Sequence, residues 1–318
     1  MSPTVRKANE RDLPKLEALR KEVSYPGSVL YDEESYYSYP LQQLQVYLTR
    51  ISELPDWRLL VLEVAEEITG YILFTVDEEH GVTHQLQARL LDFAVFSFDD
   101  LSLLVERAAK IVSAFENEYL VVDLPARDKR RQLWFYRCGF RPEQQRSVKR
   151  IQRGHHGAVS ADYLVRAACT EDLPAILEVH SAYTPSYLPA GRDVDLESIA
   201  FRYQLTYLAM DISGSDGSHY LVLEERSTGV LAGYVFLKPG LVIKDVGSYY
   251  MYDIAVAPAY AGRGLSEFLV GAAETATGKE GGFLYGDGSL NTPVIASWHA
   301  QMGAVHDSTL YSLDCRER

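Results

Sequence analysis

Asp253-Ile254-Ala255-Val256-Ala257-Pro258-Ala259-Tyr260-Ala261-Gly262-Arg263-Gly264-Leu265 is the stretch from which the fold of this 318-residue chain is legible. The strand Met251–Val256 ends at Pro258 and two glycines, and an apolar, helix-forming run follows over Gly264–Thr277. A strand that turns through glycines directly into a helix leaves the first backbone N–H groups of that helix unpaired. With the helix dipole, those groups form an anion site. Glycine lets the backbone approach a phosphate closely. The spacing is neither GxGxxG nor GxxxxGK[ST], which argues against a dinucleotide fold and a Walker nucleotide site.

Working outward, the chain contains itself twice. Val5-Arg6-Lys7-Ala8 leading to Asp12-Leu13-Pro14 returns as Val165-Arg166-Ala167-Ala168 leading to Asp172-Leu173-Pro174. Leu60-Val61-Leu62-Glu63 returns as Leu221-Val222-Leu223-Glu224, Gly70-Tyr71 as Gly233-Tyr234, and Asp92-Phe93-Ala94-Val95 as Asp253-Ile254-Ala255-Val256. Leu101-Ser102, Ala108-Ala109 and Gly139 return as Leu265-Ser266, Ala272-Ala273 and Gly303. Matches in one order with a slowly drifting offset indicate a duplicated domain. The expected division is 1–153, a linker at 154–162 containing His155-His156, and 163–318. Each copy reads as strand, helix, a Tyr-rich segment, two strands, a third strand, helix, strand, helix and a closing strand. The class is α+β (mixed α/β): a mostly antiparallel twisted sheet in each copy, with helices on both faces. Tyr25, Tyr31, Tyr36, Tyr37, Tyr39 and Tyr47 crowd the first variable segment. Tyr183, Tyr187, Tyr203 and Tyr207 crowd the second. Both groups offer apolar walls with a polar tip and read as an inter-domain or subunit interface.

Composition closes off other classes. Apolar residues make up 47% and charged residues 24% of the chain, an ordinary globular balance. No run approaches the ~18 apolar residues of a membrane span, and the N-terminus lacks an apolar signal-peptide core, so a cytoplasmic protein without a membrane partner is expected. Cys138, Cys169 and Cys315 lie far apart, without a CxxC pair, so neither a disulfide framework nor a cysteine metal site is expected. The net charge of −13 is uneven: 1–160 carry 21 basic and 24 acidic residues, 161–318 carry 10 and 20. Only Arg141–Arg153 is locally basic, which is too little to displace counterions from a nucleic acid. No metal is expected. The chain reads as a monomer or homodimer.

The loop and its setting resemble the GNAT superfamily of acyl-CoA-dependent acyltransferases. The resemblance extends over both copies and rests on Asp253–Leu265, on Val165-Arg166…Asp172-Leu173-Pro174, and on Asn291…Trp298-His299…Gly303. It implies acetyl-CoA or another acyl-CoA as co-substrate, with an amine acceptor of small-molecule or peptide type. By the same resemblance, the two Tyr-rich segments read as lining of the acceptor site. It implies a cofactor site of Ile254, Ala255, Val256, Ala261, Gly262, Arg263, Gly264, Leu265, Ser266 and Asn291. The family signature opens with Arg or Gln. Here Ala259 or Ala261 holds that place, so the cradle is backbone only. The resemblance also implies a proton donor four residues before the late glycine, which is His299. Candidates for the base are Asp253 and Tyr250, which face opposite sides of their strand unless a bulge intervenes. Asp253 has a structural reading as well, since Asp92 stands at the same place in the other copy. That first copy departs from the family. Its loop is three residues shorter, Phe96-Ser97-Phe98-Asp99-Asp100, without glycine and with two carboxylates where a pyrophosphate would lie. Phe135 stands opposite His299. The first copy is therefore expected to bind no acyl-CoA. A non-catalytic acyl-CoA sensor, S-acyl transfer and acyl-CoA decarboxylation are the rival readings on the same fold.

Overall fold

The computed structural model describes residues 2–23, 54–80, 83–151, 161–192, 195, 197, 212, 216–243, 246–278, 282–292 and 302–316. His299 and Trp298, the linker histidines, Tyr203, Tyr207 and the tyrosines of the first variable segment lie outside them, as does the side chain of Tyr187. The chain divides into two compact units, one of 1–144 with 307–318 and one of 145–306.

The first unit holds β1 (Thr4–Lys7), α1 (Leu13–Glu22), β2 (Trp57–Val64), β3 (Glu67–Glu79), β4 (Leu86–Val95), α2 (Phe98–Ala114), β5 (Tyr119–Pro125) and α3 (Lys129–Arg137). A strand running over Arg141–Arg150, β6, follows. The second unit repeats the pattern with β7 (Tyr163–Ala167), α4 (Leu173–Tyr187), β8 (His219–Glu225), β9 (Leu231–Ile243), β10 (Val246–Val256), α5 (Leu265–Thr277) and β11 (Phe283–Ser289). The last strand is β12 (Val305–Asp314).

In the first unit the strand order is β1-β2-β3-β4-β5-β12, and in the second it is β6-β11-β10-β9-β8-β7. The closing strands have thus changed places. β12, the end of the second repeat, pairs antiparallel with β5 from Ser308↔Pro125 to Asp314↔Tyr119. The Ala126 amide donates to the Asp307 carbonyl at 2.7 Å and the Cys315 amide to the Glu118 carbonyl at 2.8 Å. β6 lies beside β11, where the Ile151 amide donates to the Gly282 carbonyl at 2.8 Å. A division into two contiguous halves therefore misses one strand in each unit.

Each sheet is buried on both faces, so its central strands are apolar almost throughout. In β2, Leu60 and Leu62 join one core beneath α2 while Leu59 and Val61 join the other beneath α1. In β9, Val235 and Leu237 pack with Leu269 and Ala273 of α5, and Tyr234 and Phe236 pack with Ile176 and Val179 of α4. This is the period-two alternation of a strand. The pairs β1–β2, β2–β3, β3–β4, β5–β12, β7–β8, β8–β9 and β9–β10 are antiparallel, whereas β4–β5 and β10–β11 are parallel. At those two places the sheet opens. The register of β10 with β11 ends at Tyr250↔Tyr285, although β10 continues to Val256 and β11 to Ser289. The register of β4 with β5 ends at Leu90↔Val122.

Candidate functional site

The backbone edge of β10 from Met251 to Val256 forms one side of a wedge that opens towards the loop preceding α5. Its other edge is fully committed: Ile254, Ala255 and Val256 pair with Val235, Tyr234 and Gly233 of β9. The Ala257 amide donates to the Ala232 carbonyl at 2.9 Å. A single 3-10 turn, Pro258–Tyr260, then delivers the chain to Gly262 and Gly264, with φ of 76° and 74°. Positive φ is the reason for glycine at both positions. A Cβ at either would meet nothing within 4 Å, so the space before this backbone is open. Gly264 is the N-cap of α5 and no side chain caps the helix. Its first amides, including those of Leu265 and Ser266, therefore lack the partner that a capping side chain gives. Arg263 turns away to Tyr163 Oη and the Ala259 carbonyl, each at 3.2 Å, and stacks on the Tyr260 ring. The cradle is thus backbone alone, and its donor set suits a phosphate.

The corresponding place in the first unit is closed. Ser97 caps α2 by accepting from the Asp100 amide at 3.1 Å, and Asp99 and Asp100 fill the first turn. Phe93, the counterpart of Ile254, packs edge-on against Phe135 of α3 at 5.1 Å, and Phe135 against Phe140 at 5.0 Å. The guanidinium of Arg131, buried and paired with Asp128, lies over the Phe93 ring. Gln132 Nε2 donates to the Pro125 carbonyl at 2.7 Å. Aromatic and guanidinium groups thus cover the space past the last β4–β5 pair.

A β-bulge between Met251 and Asp253 reverses the alternation, so Tyr250 and Asp253 share the face towards α4. Their surroundings differ. Asp253 is 5% exposed and accepts from Tyr234 Oη at 2.8 Å, with His180 Nδ1 of α4 at 3.0 Å. The first unit repeats the bulge and the cluster. Asp92 accepts from Tyr71 Oη at 2.5 Å, and Arg20 Nε of α1 is 3.3 Å away. Burial pushes the Asp92 carboxyl up. Tyr250 stands elsewhere. Its hydroxyl donates to Asp287 Oδ2 at 3.2 Å, and its ring packs on Tyr285 at 5.3 Å. Arg146 of β6 holds Asp287 with two bonds, at 2.9 and 3.0 Å. Burial, then the Asp287 charge, raises the Tyr250 phenol well above its ordinary range, so it stays protonated.

Asn291 lies at the end of β11, where its amide approaches the Leu188 and Pro189 carbonyls at 3.4 and 3.5 Å. Ser289 Oγ bonds to the same Leu188 carbonyl. Tyr183 Oη donates to the Val256 carbonyl at 2.7 Å. Sequence reasoning did not single out His180, Asp287 or Arg146. His180 was within reach, because it stands 160 positions after Arg20. Arg146 was not, because the strand exchange brings it to β11. Among the described residues, no group of three or more His, Cys, Asp or Glu is placed to hold a metal, and no helix is long and apolar enough to cross a membrane.

Residues 176–304 match the model of the acetyltransferase (GNAT) family. No curated protein matches the chain. A GCN5-related N-acetyltransferase from Sphaerobacter thermophilus is similar in structure, at a TM-score of 0.56 and 14% identity, over 99% of this chain and 96% of that one. A glucosamine N-acetyltransferase region within a fungal multidomain GH3 β-N-acetylglucosaminidase gives a TM-score of 0.55 at 13% identity, over 98% of this chain and 38% of that one. A tandem GNAT protein from the clavulanic acid biosynthesis pathway gives 0.49 at 12% identity, over 99% of both chains. The second repeat thus matches the GNAT family over 176–304, and the fold along nearly the whole chain is similar to that of a solved GCN5-related N-acetyltransferase.

Proposed function

We propose that the protein is an acyl-CoA-dependent N-acyltransferase in which only the second unit binds the acyl-CoA. The observation that carries this reading is the contrast between two equivalent helix N-termini. α5 begins uncapped behind Gly262 and Gly264 with open space before it. α2 is capped by its own Ser97 and carries Asp99 and Asp100. The pyrophosphate would lie on the amides of Gly262–Ser266, and the pantetheine arm along the free edge of β10 past Ile254 and Ala255. Asn291, at the far side of the wedge, borders that arm.

The acceptor amine attacks the thioester carbonyl. A C–N bond forms and the C–S bond breaks; the ammonium gives one proton to solvent before attack, the nitrogen loses a second as the amide forms, and the leaving thiolate takes up one proton. Tyr250, neutral and with its one proton given to Asp287, offers its phenol oxygen as a hydrogen-bond acceptor to the incoming amine. His299 is assigned the proton for the thiolate, through the family resemblance. Asp253 is assigned to the fold, since its twin Asp92 makes the same bonds in the unit that lacks the cradle. A cationic amine suits the acidic second half by steering. The engagement of Asp253 also favours the sensor reading, in which acyl-CoA is held and no amine is acylated.

Isothermal titration with CoA tests the assignment. One molecule should bind per chain, and Gly264→Asp, which puts a charge and a strained φ into the cradle, should abolish binding. Unchanged affinity in a folded variant, or two equivalent sites per chain, overturns it. Thiol release from acyl-CoA with a panel of amines separates the enzyme from the sensor.

A further inference from the structure

The second unit contains a cavity whose counterpart in the first unit is filled. In the first unit, Val122 of β5, Phe140, and Tyr311 and Leu313 of β12 belong to one buried core. The equivalent residues of the second unit are Gly286 of β11, Ala304, and Ser147 and Lys149 of β6, and these line the cavity. At four places a large apolar side chain has become a small or polar one, and among the described residues these replacements account for the void in an otherwise close-packed core. Met251 completes the wall from β10.

Its position connects it to the wedge. Met251 and Gly286 are the first residues of β10 and β11 past their last registered pair, so the cavity lies at the apex where the strands part. Five residues of strand separate Met251 from Val256, about 17 Å at 3.3 Å per residue. An extended pantetheine arm spans that distance, which brings the thioester of a donor anchored at Gly264 to the apex. Among the described residues of the wall the one charged group is engaged: Lys149 Nζ is 2.8 Å from Glu274 of α5, whose side chain is buried. Removing either partner from a buried pair is unfavourable, so the wall presents no surplus charge to a ligand.

We propose that this cavity receives the acyl chain of the donor, and that the protein prefers a short, uncharged acyl group longer than acetyl, of propionyl to butyryl size. The inference rests on the assignment of an acyl-CoA to the second unit. Each additional buried methylene favours binding by about fourfold, so butyryl-CoA should bind the full chain about fifteenfold tighter than acetyl-CoA.

Titration calorimetry with CoA, acetyl-CoA, butyryl-CoA and succinyl-CoA tests this without knowledge of the acceptor. Gly286→Val and, separately, Ala304→Phe copy the residues of the first unit. Each should bring butyryl-CoA within about threefold of acetyl-CoA. A Cβ on Gly286 meets the Met251 carbonyl at 3.4 Å, an ordinary contact, so that variant should fold. CoA binding together with equal affinity for both thioesters overturns the pocket and leaves the donor site standing. A wild-type preference for succinyl-CoA overturns it in favour of a charged acyl group, and so does a butyryl preference that survives both variants. Failure of the protein to bind CoA or any thioester overturns the pocket together with the donor site.

Discussion

Asp92 and Asp253 illustrate how a duplicated chain separates structural from chemical residues. An aspartate at the end of the site strand of an acyltransferase invites assignment as a base. Both copies nevertheless bury it, give it a tyrosine hydroxyl from the neighbouring strand, and set a basic side chain from the first helix beside it. Only one copy has the glycine cradle. Asp92→Asn and Asp253→Asn should therefore each destabilise their unit, by about 2–4 kcal/mol, because each breaks a buried charged network. Thermal melting with and without saturating CoA checks this. A folded Asp253→Asn protein with unchanged melting and lost turnover would restore the catalytic role. The tyrosine and aspartate of this cluster were visible in the sequence as a repeated pair. Their third member was hidden because it changes identity, Arg20 in one unit and His180 in the other.

The elements carry a second repeated device. Arg6 in β1 makes a two-bond contact with Asp12, at 2.8 and 3.0 Å, and reaches Glu63 of β2 at 2.8 Å. Arg166 in β7 does the same with Asp172, at 2.7 and 2.8 Å, and with Glu224 of β8 at 2.9 Å. Each arginine ties a strand to the start of the following helix. The Arg166 bonds hold the Asp172 carboxyl down at about 2, and Arg6 likewise lowers Asp12. A carboxylate with a depressed folded-state value stabilises the fold above its unfolded value, near 3.9. That contribution is lost as pH falls through the folded value, here between about 4 and 2. The melting temperature should drop steeply across that window. Asp172→Asn should lower the melting temperature at neutral pH and flatten the acid limb for the second unit. Circular dichroism melts at stepped pH read both effects, and an unchanged acid limb in Asp172→Asn would refute the anchor.

At the scale of the molecule, the exchange of closing strands makes the two halves of the chain interdependent. Residues 1–153 alone lack β12, leaving β5 as an exposed edge and removing Tyr311, Leu313 and Cys315 from the first core. Residues 161–318 alone lack β6 and with it Arg146 and Ile151. An unpaired edge strand with apolar faces promotes aggregation, and a core stripped of several large side chains loses several kcal/mol. Each half expressed alone should be insoluble or unfolded, and the two expressed together should give a soluble complex. Size-exclusion chromatography after separate and joint expression decides it. Two soluble, cooperatively melting halves would count against the exchange.

Local chemistry sufficed for much of this protein. Gly262 and Gly264 behind an apolar strand required a turn that only glycine adopts easily, and with it an open helix start at Leu265. The missing glycines and the added Asp99 and Asp100 marked the other copy as different. Repetition of Asp-Leu-Pro, Gly-Tyr and Asp-x-Ala-Val exposed the duplication, and alternating apolar runs identified strands buried on both faces. Those features depend on neighbours a few residues apart, so sequence alone carries them. Which strand closes each sheet depends on pairing between segments some 130 to 195 residues apart, and β6 and β12 have no local feature that distinguishes one partner from the other. The Arg146–Asp287 contact and the cavity at Gly286 arise from that long-range pairing, and the bulge that turns Tyr250 and Asp253 to one face arises from the register of β10 on β9. They were decided by tertiary structure, because only packing of distant elements determines where a side chain finds its partner.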